Sequence, residues 1–260
     1  MAAPNANADE LAAFQALSER EKAAKGFAWH GDGDDELTED RMRAKGLFQA
    51  YNQYPWPKYF PGFTFADQFG PEPRQQLLAD LFRIPLEKAK ALAIEPPFFC
   101  DYGYNIEFGN VFYCNVNCCF LDGAKIKFGD RCVLGPAVQI YTTTHSVEPA
   151  ERRAWRDRSY PVVFGSDIWV GGGAVILPGT VIGNGCTIAA GAVVKGTFPP
   201  NSVIGGVPAR VLKTLDAAPA IDAPGGIMAN EDPRLWKLLP GMEGRTMEDL
   251  GEMEKAARGE

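Results

Sequence analysis

The stretch FGSDIWVGGGAVILPGTVIGNGCTIAAGAVV, residues 164–194, repeats its chemical character every six residues. Each unit opens with a large apolar residue, at Phe164, Val170, Ile176, Ile182, Ile188 and Val194. The fifth place of the units holds Ile168, Ala174, Thr180, Cys186 and Ala192. A six-residue period fits neither an ordinary helix nor a hairpin, but it is typical of a solenoid whose short strands meet at tight corners. We expect the first and fifth residues to fill the interior, and second-place glycines such as Gly171 to allow a turn with positive φ.

The same repeat extends upstream of this stretch. Units begin at Phe108, Cys114 and Phe120 and, after a slip of two residues, at Phe128, Leu134 and Ile140. The pattern predicts a mainly β coil over residues 96–215. Four cysteines fall on repeat positions that favour small apolar side chains, which indicates a structural role for them: Cys114, Cys118, Cys132 and Cys186.

The repeat is interrupted at residues 142–163, TTTHSVEPAERRAWRDRSYPVV, a polar and charged segment without a period of its own. Such a segment is typical of a loop extending from a rigid coil, where functional residues concentrate. His145, one of only two histidines in the chain, stands near the start of this loop. An imidazole can accept a proton near neutral pH, so we predict that His145 is a general base that activates a hydroxyl. The alternative is a histidine whose nitrogens are satisfied by neighbouring groups.

Composition limits the class of protein. The chain has 260 residues, a formal net charge of -7 and an ordinary hydrophobic content of 46%. The negative charge argues against binding nucleic acid through phosphate contacts. We see no signal peptide and no run long enough to span a membrane, so a cytoplasmic location is expected, with the six cysteines reduced.

The segments flanking the coil divide the rest of the chain. We expect residues 1–18 to be poorly ordered, residues 19–95 to form a small helical cap, and residues 216–260 to be a linker and tail. Within the cap, one helix is predicted from about Glu19. A second helix is predicted to begin after Thr38, which would be its N-cap. Its apolar side would carry Met42, Leu47, Phe48 and Tyr51. A third spans about residues 73–83, with Leu77, Leu78, Leu81 and Phe82 on one stripe. In the tail, Thr246 and Asp249 resemble a capping box.

Between the two longer helices lies YPWPKYFPGFTFADQFGPEP, residues 54–73, which is rich in aromatic residues and proline. The proline content excludes a helix or a central strand. One interpretation is a loop that covers an end of the coil. The other is a pocket wall, since exposed aromatics such as Trp56, Tyr59 and Phe63 can stack on a sugar or a partner.

Four stretches make the chain resemble a known family. They are CDYGYNIEFGNVFYCNVNCCFLDG at residues 100–123, YTTTHSVEPAERR at 141–153, YPVVFGSDIWVGGGAVILPGTVIGNGCTIAAGAVV at 160–194 and PPNSVIGGVPARV at 199–211. With EDRMRAKGLFQAYN near the start, the chain is similar over most of residues 20–215 to the hexapeptide-repeat acyltransferases. Among these, it resembles the maltose, galactoside and nodulation-factor O-acetyltransferases.

The resemblance implies a left-handed parallel β-helix, a homotrimer with active sites between subunits, and acetyl-CoA bound in the groove between neighbouring coils. By the family pattern His145 would be the base of a direct acetyl transfer, without an acyl-enzyme intermediate. Asn115 would contact the reacting hydroxyl or the oxyanion. The positions that match acceptor-binding residues are Asp32, Tyr104, Tyr113, Asp122 and Asp157. Those that match residues binding acetyl-CoA are Trp169, Gly172, Ala190, Lys195 and Arg210. No metal is required.

Three departures from the family pattern concern the site. Lys195 is displaced by one position, because the chain reads VVKGTFPPN where relatives read VTKDIPPN. The N-terminal acidic residue that touches the acceptor in relatives falls in a gapped region here, where Asp32 is preferred to Asp34 and Asp35 as its counterpart. The aromatic segment is an insertion relative to the shorter bacterial members, so the acceptor could differ from maltose and galactosides.

Two other functions are compatible with a β-helix. A non-catalytic scaffold could keep the fold without activity. A metal-dependent hydratase would need several histidines around one zinc, and the coil region carries only His145. An amine acceptor in place of a hydroxyl is also open.

Overall fold

The computed structural model describes residues 8–31 and 34–217, and its main body is a left-handed parallel β-helix. The predicted fold is confirmed. The helices are α1 (Ala8–Gln15), α2 (Glu19–Ala24), α3 (Asp35–Gln53), a 3-10 turn (Ala66–Gln68), α4 (Glu72–Phe82), α5 (Leu86–Ala89) and α6 (Pro149–Arg152).

The strands are short, as the repeat requires. They are β1 (Leu92–Ile94), β2 (Phe98–Cys100), β3 (Ile106–Glu107), β4 (Phe112–Cys114), β5 (Cys118–Leu121), β6 (Ile126–Lys127), β7 (Cys132–Leu134), β8 (Gln139–Tyr141), β9 (Thr143–His145), β10 (Asp157–Ser159), β11 (Val162–Phe164), β12 (Ile168–Val170), β13 (Val175–Ile176), β14 (Val181–Ile182), β15 (Thr187–Ile188), β16 (Val193–Val194), β17 (Thr197–Phe198), β18 (Ser202–Gly206) and β19 (Ala209–Thr214).

Three sheets form the walls of the coil. Sheet 1 contains β1, β4, β7, β12, β15, β18 and β19, sheet 2 contains β2, β5, β8, β13 and β16, and sheet 3 contains β3, β6, β11, β14 and β17. Each pass of the chain through sheets 1, 2 and 3 is one turn of the coil. We call the edge between sheets 1 and 2 the first corner, and the edge between sheets 2 and 3 the second corner.

The coil interior follows the predicted repeat. All the first-place residues are buried, including Cys114 and Phe120 in the second turn and Ile188 in the fifth. The fifth-place residues are buried as well. Phe128 and Phe164 stack with their ring centroids 4.8 Å apart in successive turns. The core is therefore a set of ladders in which apolar side chains from register-paired positions stack in successive turns.

The second-place glycines have a different role from the predicted one. A Cβ on Gly171 would lie 2.5 Å from the backbone nitrogen of Ala190, so this glycine lets adjacent turns approach closely. Positive φ occurs instead at the fourth place of the unit, as at Gly173 and Gly191, where φ is 69°. The prediction of positive φ at Gly171 is wrong because the tight turn at the corner falls on Gly173, two residues later.

The three predicted cap helices are present as α2, α3 and α4, with differences in detail, and the short helix α5 was not predicted. Helix α2 begins at Glu19, as predicted. Helix α3 begins earlier than predicted, because Asp34 rather than Thr38 is its N-cap and accepts a 2.9 Å hydrogen bond from the Leu37 amide. Asp34 has the same capping chemistry as Thr38 and stands one turn earlier.

The buried stripe of α3 also differs from the predicted one. Tyr51 is buried as predicted, and Leu47 and Phe48 are partly buried against the core. Met42 is 60% exposed, and Leu37 and Ala44, which were not predicted, are buried. The Tyr51 hydroxyl donates to the Ile94 carbonyl, which attaches the helix to β1. Helix α4 buries Leu78, Leu81 and Phe82 as predicted, with Leu77 partly buried against them.

The ends of the described chain bear on two predictions. Helix α1 lies within the segment predicted to be poorly ordered, and its Phe14 ring packs edge-on against Phe27. The predicted capping box of Thr246 and Asp249, and all of the tail beyond residue 217, lie outside the described residues. No helix in the described ranges is long and apolar enough to cross a bilayer.

The interruption of the repeat is an ordered arm. Strands β9 and β10 form an antiparallel pair, with α6 in the connection between them. The pair extends from the second corner in the third turn of the coil, between β8 and β11. Trp29 continues this small sheet through an antiparallel bridge to Asp157, so the N-terminal segment holds the arm against the coil.

Candidate active site

His145 ends β9 and faces Asp157 directly across the arm. Its Nδ1 atom lies 2.9 Å from Oδ1 of Asp157, and the side chain is 65% exposed. Because the carboxylate accepts the hydrogen of Nδ1, the neutral ring presents Nε2 as an unprotonated acceptor. The pair borders an open cavity of about 550 Å³ that is also lined by Pro149, Arg152, Arg153 and Trp155. An exposed, oriented imidazole nitrogen is suited to removing a proton from a bound hydroxyl.

A chain of hydrogen bonds attaches the arm to the N-terminal segment. The indole Nε1 of Trp29 donates to Oγ of Ser159 at 3.1 Å, and that oxygen lies 3.1 Å from Oγ1 of Thr143. Thr143 and Ser159 are opposite one another, two pairs inward of His145 and Asp157. Gly123 leaves room for this group, since a Cβ there would clash with the Thr143 hydroxyl. Sequence reasoning did not identify Trp29, because its partner is 130 positions away.

Asp122 lies beneath the arm at the second corner and is fully buried. Its carboxylate accepts from the backbone amides of Asp101, Tyr102 and Asn105 at 2.9–3.3 Å. Burial raises the pKa of Asp122 to about 7, and the backbone donors oppose that rise. In this position the carboxylate holds the 101–105 turn. A direct contact with an acceptor, as predicted, would need it to reach the surface, which it does not do here.

The 101–105 turn carries two further titratable side chains, Tyr104 and Asp101. Tyr104, a predicted acceptor residue, has its ring 4.5 Å from the Arg83 guanidinium carbon. It lines a separate cavity of about 260 Å³ beside Trp29. Asp101 was not among the predicted residues. Burial raises its pKa, and the charges of Arg41 and Lys45 oppose the rise.

Asn115 lies at the first corner, immediately after β4. Its Oδ1 accepts a 2.7 Å hydrogen bond from the Val116 amide, which fixes the side-chain amide. The Nδ2 group makes no hydrogen bond to any described residue. Asn115 therefore presents a donor that could stabilise negative charge on an oxygen.

Four of the five residues predicted to bind acetyl-CoA follow the same side of the coil above Asn115. Trp169 projects from β12 in sheet 1 and is 57% exposed. Gly172 and Ala190 form the first corner of the fourth and fifth turns, and the Gly172 carbonyl accepts from the Gly191 amide. Arg210 is exposed on β19, at the edge of sheet 1.

Lys195 does not share this side of the coil. It follows β16 and is exposed at the second corner, where the His145 arm also leaves the coil two turns lower. Of the predicted acceptor residues, Tyr113 projects from β4 on sheet 1, with its ring 6.1 Å from Phe65. Asp32 lies outside the described residues.

The predicted site is thus divided between two corners of one chain. His145, Asp157 and Lys195 lie at the second corner, and Asn115, Trp169 and Gly172 at or beside the first. The two corners are separated by the width of sheet 2, roughly 15–20 Å for five or six extended residues. One chain does not bring His145 and Asn115 together.

Within residues 8–31 and 34–217, no group of three or more His, Cys, Asp or Glu side chains could hold a metal ion. All six cysteines are unpaired, and five of them are buried. Their placement in the coil interior agrees with the structural role predicted for those on repeat positions.

Known proteins share both parts of this architecture. Residues 161–196 match the family model for the bacterial transferase hexapeptide, and residues 28–83 match the maltose acetyltransferase hexapeptide capping motif. The galactoside O-acetyltransferase of Escherichia coli is 32% identical over 77% of this chain and 90% of its own length.

Solved structures give the same result. A maltose O-acetyltransferase from Clostridium difficile superposes with a TM-score of 0.69 and 35% identity, covering 78% of this chain and all of that one. A galactoside acetyltransferase in complex with coenzyme A has a TM-score of 0.63 and 30% identity, over 76% of this chain and 91% of that one. The chain belongs to the hexapeptide-repeat acetyltransferases of the maltose and galactoside O-acetyltransferase group.

Proposed function

We propose that this protein transfers the acetyl group of acetyl-CoA to a hydroxyl of a sugar or sugar-like acceptor, with His145 as the general base. The observation that carries the proposal is the 2.9 Å contact between His145 Nδ1 and Asp157 Oδ1. It leaves Nε2 as an exposed proton acceptor on an arm fixed to the coil. The coenzyme A complex of a related galactoside acetyltransferase supports acetyl-CoA as the donor.

The transfer is a single displacement. Nε2 of His145 takes the proton of the acceptor hydroxyl as its oxygen attacks the thioester carbonyl carbon. The resulting oxyanion accepts a hydrogen bond from the Nδ2 group of Asn115. The carbon–sulfur bond then breaks, and the proton held by His145 passes to the departing thiolate. The products are an O-acetylated acceptor and free coenzyme A.

The separation of the two corners requires a second copy of the chain to complete the site. In a homotrimer with coils side by side, the arm of one copy would reach the first corner of its neighbour. The order of turns supports this arrangement, because His145 leaves the third turn, between Asn115 in the second and Gly172 in the fourth. In the same arrangement, Lys195 of one copy would approach Arg210 of its neighbour. The two cations would then lie near the phosphates of acetyl-CoA.

Acetyl-CoA would then run down one side of the neighbouring coil. Arg210 and Lys195 lie at the upper turns, and Trp169, Gly172 and Ala190 line the path toward the third turn. The small residues at the first corner leave the backbone accessible to the pantetheine arm. The thioester would arrive at the level of His145.

The experiment is an assay of free thiol release from acetyl-CoA across a panel of sugars, glycosides and small amines. His145→Ala is expected to lower turnover by about two to four orders of magnitude. Its melting temperature and oligomer size should not change, because the side chain is exposed. Unchanged turnover in this variant would contradict the mechanism. No release with any acceptor, together with no binding of coenzyme A, would favour a non-catalytic scaffold.

A further inference from the structure

An open cavity of about 590 Å³ lies at the edge between sheets 3 and 1, which we call the third corner. On the coil side it is lined by residues of this corner in three successive turns, among them Phe108, Gly129 and Ser166. The base and the proposed oxyanion donor lie at the other two corners. In the proposed trimer those two corners meet between copies, so the third corner would face solvent and the cavity would stay accessible.

Helix α5 contributes one wall of the cavity. Its Ala89 is completely buried, and Leu86 is partly buried against the coil core, so the helix is held in place. Lys88 lines the cavity from this helix. Its side chain is exposed and makes no ion pair with any described residue. Lys88 therefore brings an unpaired positive charge to the cavity.

Lys127 contributes a second cation, from the coil itself. It lies on β6 directly opposite Glu107 on β3. Both side chains belong to the outer face of sheet 3, because the alternate residues Ile106 and Ile126 are buried. Lys127 is exposed and, like Lys88, forms no ion pair within the described part of the chain.

The charges of these two lysines act on the same carboxylate. The pKa of Glu107 is lowered, first by its hydrogen bond with Lys125 and further by the positive charges of Lys127 and Lys88. Because Lys125 already engages Glu107, the carboxylate does not compensate the other two cations in full. The two ammonium groups therefore approach the same part of the cavity from different walls.

The other charged residues of the lining already have partners. Arg83 pairs with Asp40 of α3, and Asp130 accepts a 2.7 Å hydrogen bond from the Asn110 amide. Two like charges that face one cavity repel each other, and a bound anion would replace that repulsion by attraction. The chain has a formal net charge of -7, so this pair is a local feature rather than part of a generally basic surface.

We infer that the cavity binds a phosphate-bearing small molecule, inorganic or an ester, with the phosphate group between Lys88 and Lys127. A lysine ammonium carries three donors around a compact charge and suits phosphate oxygens, whereas a planar carboxylate is matched better by the fork of an arginine. The volume lies within the range of ligand pockets, about 300–1,000 Å³, so the rest of an ester would fit beside Ile84 and Tyr104. The inference does not rest on the proposed function, because neither lysine belongs to the acetyl-transfer site.

The test is titration calorimetry of the full-length protein at low ionic strength with two probes, sodium pyrophosphate and glucose-6-phosphate. Each titration is run with and without coenzyme A. The variant is Lys88→Gln/Lys127→Gln, which removes both charges and keeps polar side chains. The matched control is Lys25→Gln/Lys58→Gln, which removes the same charge at two exposed lysines outside the cavity. Melting temperatures check that all the proteins are folded.

We expect wild type to bind one probe molecule per chain, with the same Kd whether or not coenzyme A is present. The Kd should rise about 10- to 100-fold in Lys88→Gln/Lys127→Gln, the usual effect of losing hydrogen bonds from charged groups, and stay at its wild-type value in the control. Binding of pyrophosphate alone would identify an inorganic ligand, and binding of glucose-6-phosphate would identify a phosphate ester.

Four results would overturn the inference. They are no binding of either probe, an unchanged Kd in Lys88→Gln/Lys127→Gln, an equal rise of Kd in both double variants, and competition between the probe and coenzyme A. The last result would assign the bound phosphate to the acetyl-CoA site instead. None of the four depends on whether the protein transfers an acetyl group.

Discussion

His145 Nδ1 and Asp157 Oδ1 lie 2.9 Å apart, and the two residues are directly opposite each other in the arm that interrupts the coil. The contact is made across a two-stranded sheet rather than between neighbours in sequence. The strand register therefore sets the orientation of the imidazole. We therefore expect a substitution that displaces the arm to lower kcat before it lowers the stability of the coil.

The first prediction concerns the charge of Asp157. Asp157→Asn keeps a possible acceptor for Nδ1 but removes the negative charge that stabilises the protonated ring. We expect kcat to fall about 10- to 100-fold, since a hydrogen bond to a charged group is worth roughly 1.5–3 kcal/mol. The KM for acetyl-CoA should not change. Asp167→Asn is the control, because Asp167 pairs with Arg131 on the coil surface. Equal kcat values for wild type and Asp157→Asn would contradict the assigned role.

The second prediction concerns Trp29, which is 1% exposed and donates to Ser159. Trp29→Phe keeps an aromatic ring and loses the donor, so the arm loses one attachment and kcat should fall about three- to tenfold, as for one hydrogen bond. If Trp29 acts through Ser159, the double variant with Ser159→Ala should be no slower than the slower single variant. Additive losses in the three kcat values would show that the two residues act separately.

The third prediction uses two glycines with opposite surroundings. A Cβ on Gly123 would clash with the Thr143 hydroxyl and lie 3.0 Å from Oγ of Ser159, whereas one on Gly46 in α3 would meet nothing within 4 Å. Gly123→Ala should therefore displace the arm and lower both kcat and the melting temperature, with overpacking costing about 1–3 kcal/mol.

The matched control is Gly46→Ala. It should leave kcat unchanged and raise the melting temperature slightly, because alanine is favoured over glycine within a helix by up to about 1 kcal/mol. A wild-type kcat in Gly123→Ala would show that the activity of His145 does not depend on the position of Thr143 and Ser159.

The fourth prediction concerns pH. Burial raises the pKa of Asp122 to about 7 in the folded chain, from its ordinary value of 3.8. Between pH 3.8 and about 7, the folded state therefore keeps a proton on Asp122 that the unfolded state has already lost. This contribution to stability is fully present below about pH 4 and is lost as the pH rises through about 7.

The measurement is the melting temperature between pH 4.5 and 7.5 at fixed protein concentration, for wild type and Asp122→Asn. The variant cannot titrate at this position, so its melting temperature should fall less steeply with rising pH than that of the wild type. The variant is expected to be less stable at every pH, because its NH₂ group opposes a backbone donor. Parallel curves for the two proteins would contradict the raised pKa.

The sequence predicts the coil well because the repeat is a local constraint. A residue such as Ile188 is buried because of its place in a six-residue unit, and no knowledge of distant partners is needed. The position of His145 follows from the same pattern, as a break in it. The sequence does not identify Asp34 as the helix start, because Asp34 and Thr38 are both suitable N-cap residues and lie about one turn apart.

The support of the site could not be predicted in this way. Trp29 reaches Ser159 only after the N-terminal segment has folded back over the arm, and no periodicity marks that contact. The burial of Asp122 likewise depends on the 101–105 turn closing over its carboxylate. The position of Trp56 depends on the buried Arg74, whose guanidinium also lies over the Tyr51 ring of α3.

The division of the site between two corners can be recognised only when strands are assigned to sheets. In sequence, Asn115 and His145 are 30 residues apart, and both follow strands of the coil. One strand belongs to sheet 1 and the other extends from sheet 2, so the two side chains leave the coil at different corners. This is the strongest reason for a site shared between copies.

Mixing two inactive variants tests that account most directly. His145→Ala and Asn115→Ala are unfolded together, refolded as a one-to-one mixture and assayed with an accepted sugar, with each variant refolded alone as a control. If the site takes His145 from one copy and Asn115 from the next, about a quarter of the sites in randomly mixed trimers should be intact, and activity should return to about that share of wild type. No activity in the mixture beyond that of the separate variants, despite mixed trimers on native mass spectrometry, would contradict a catalytic site shared between two copies.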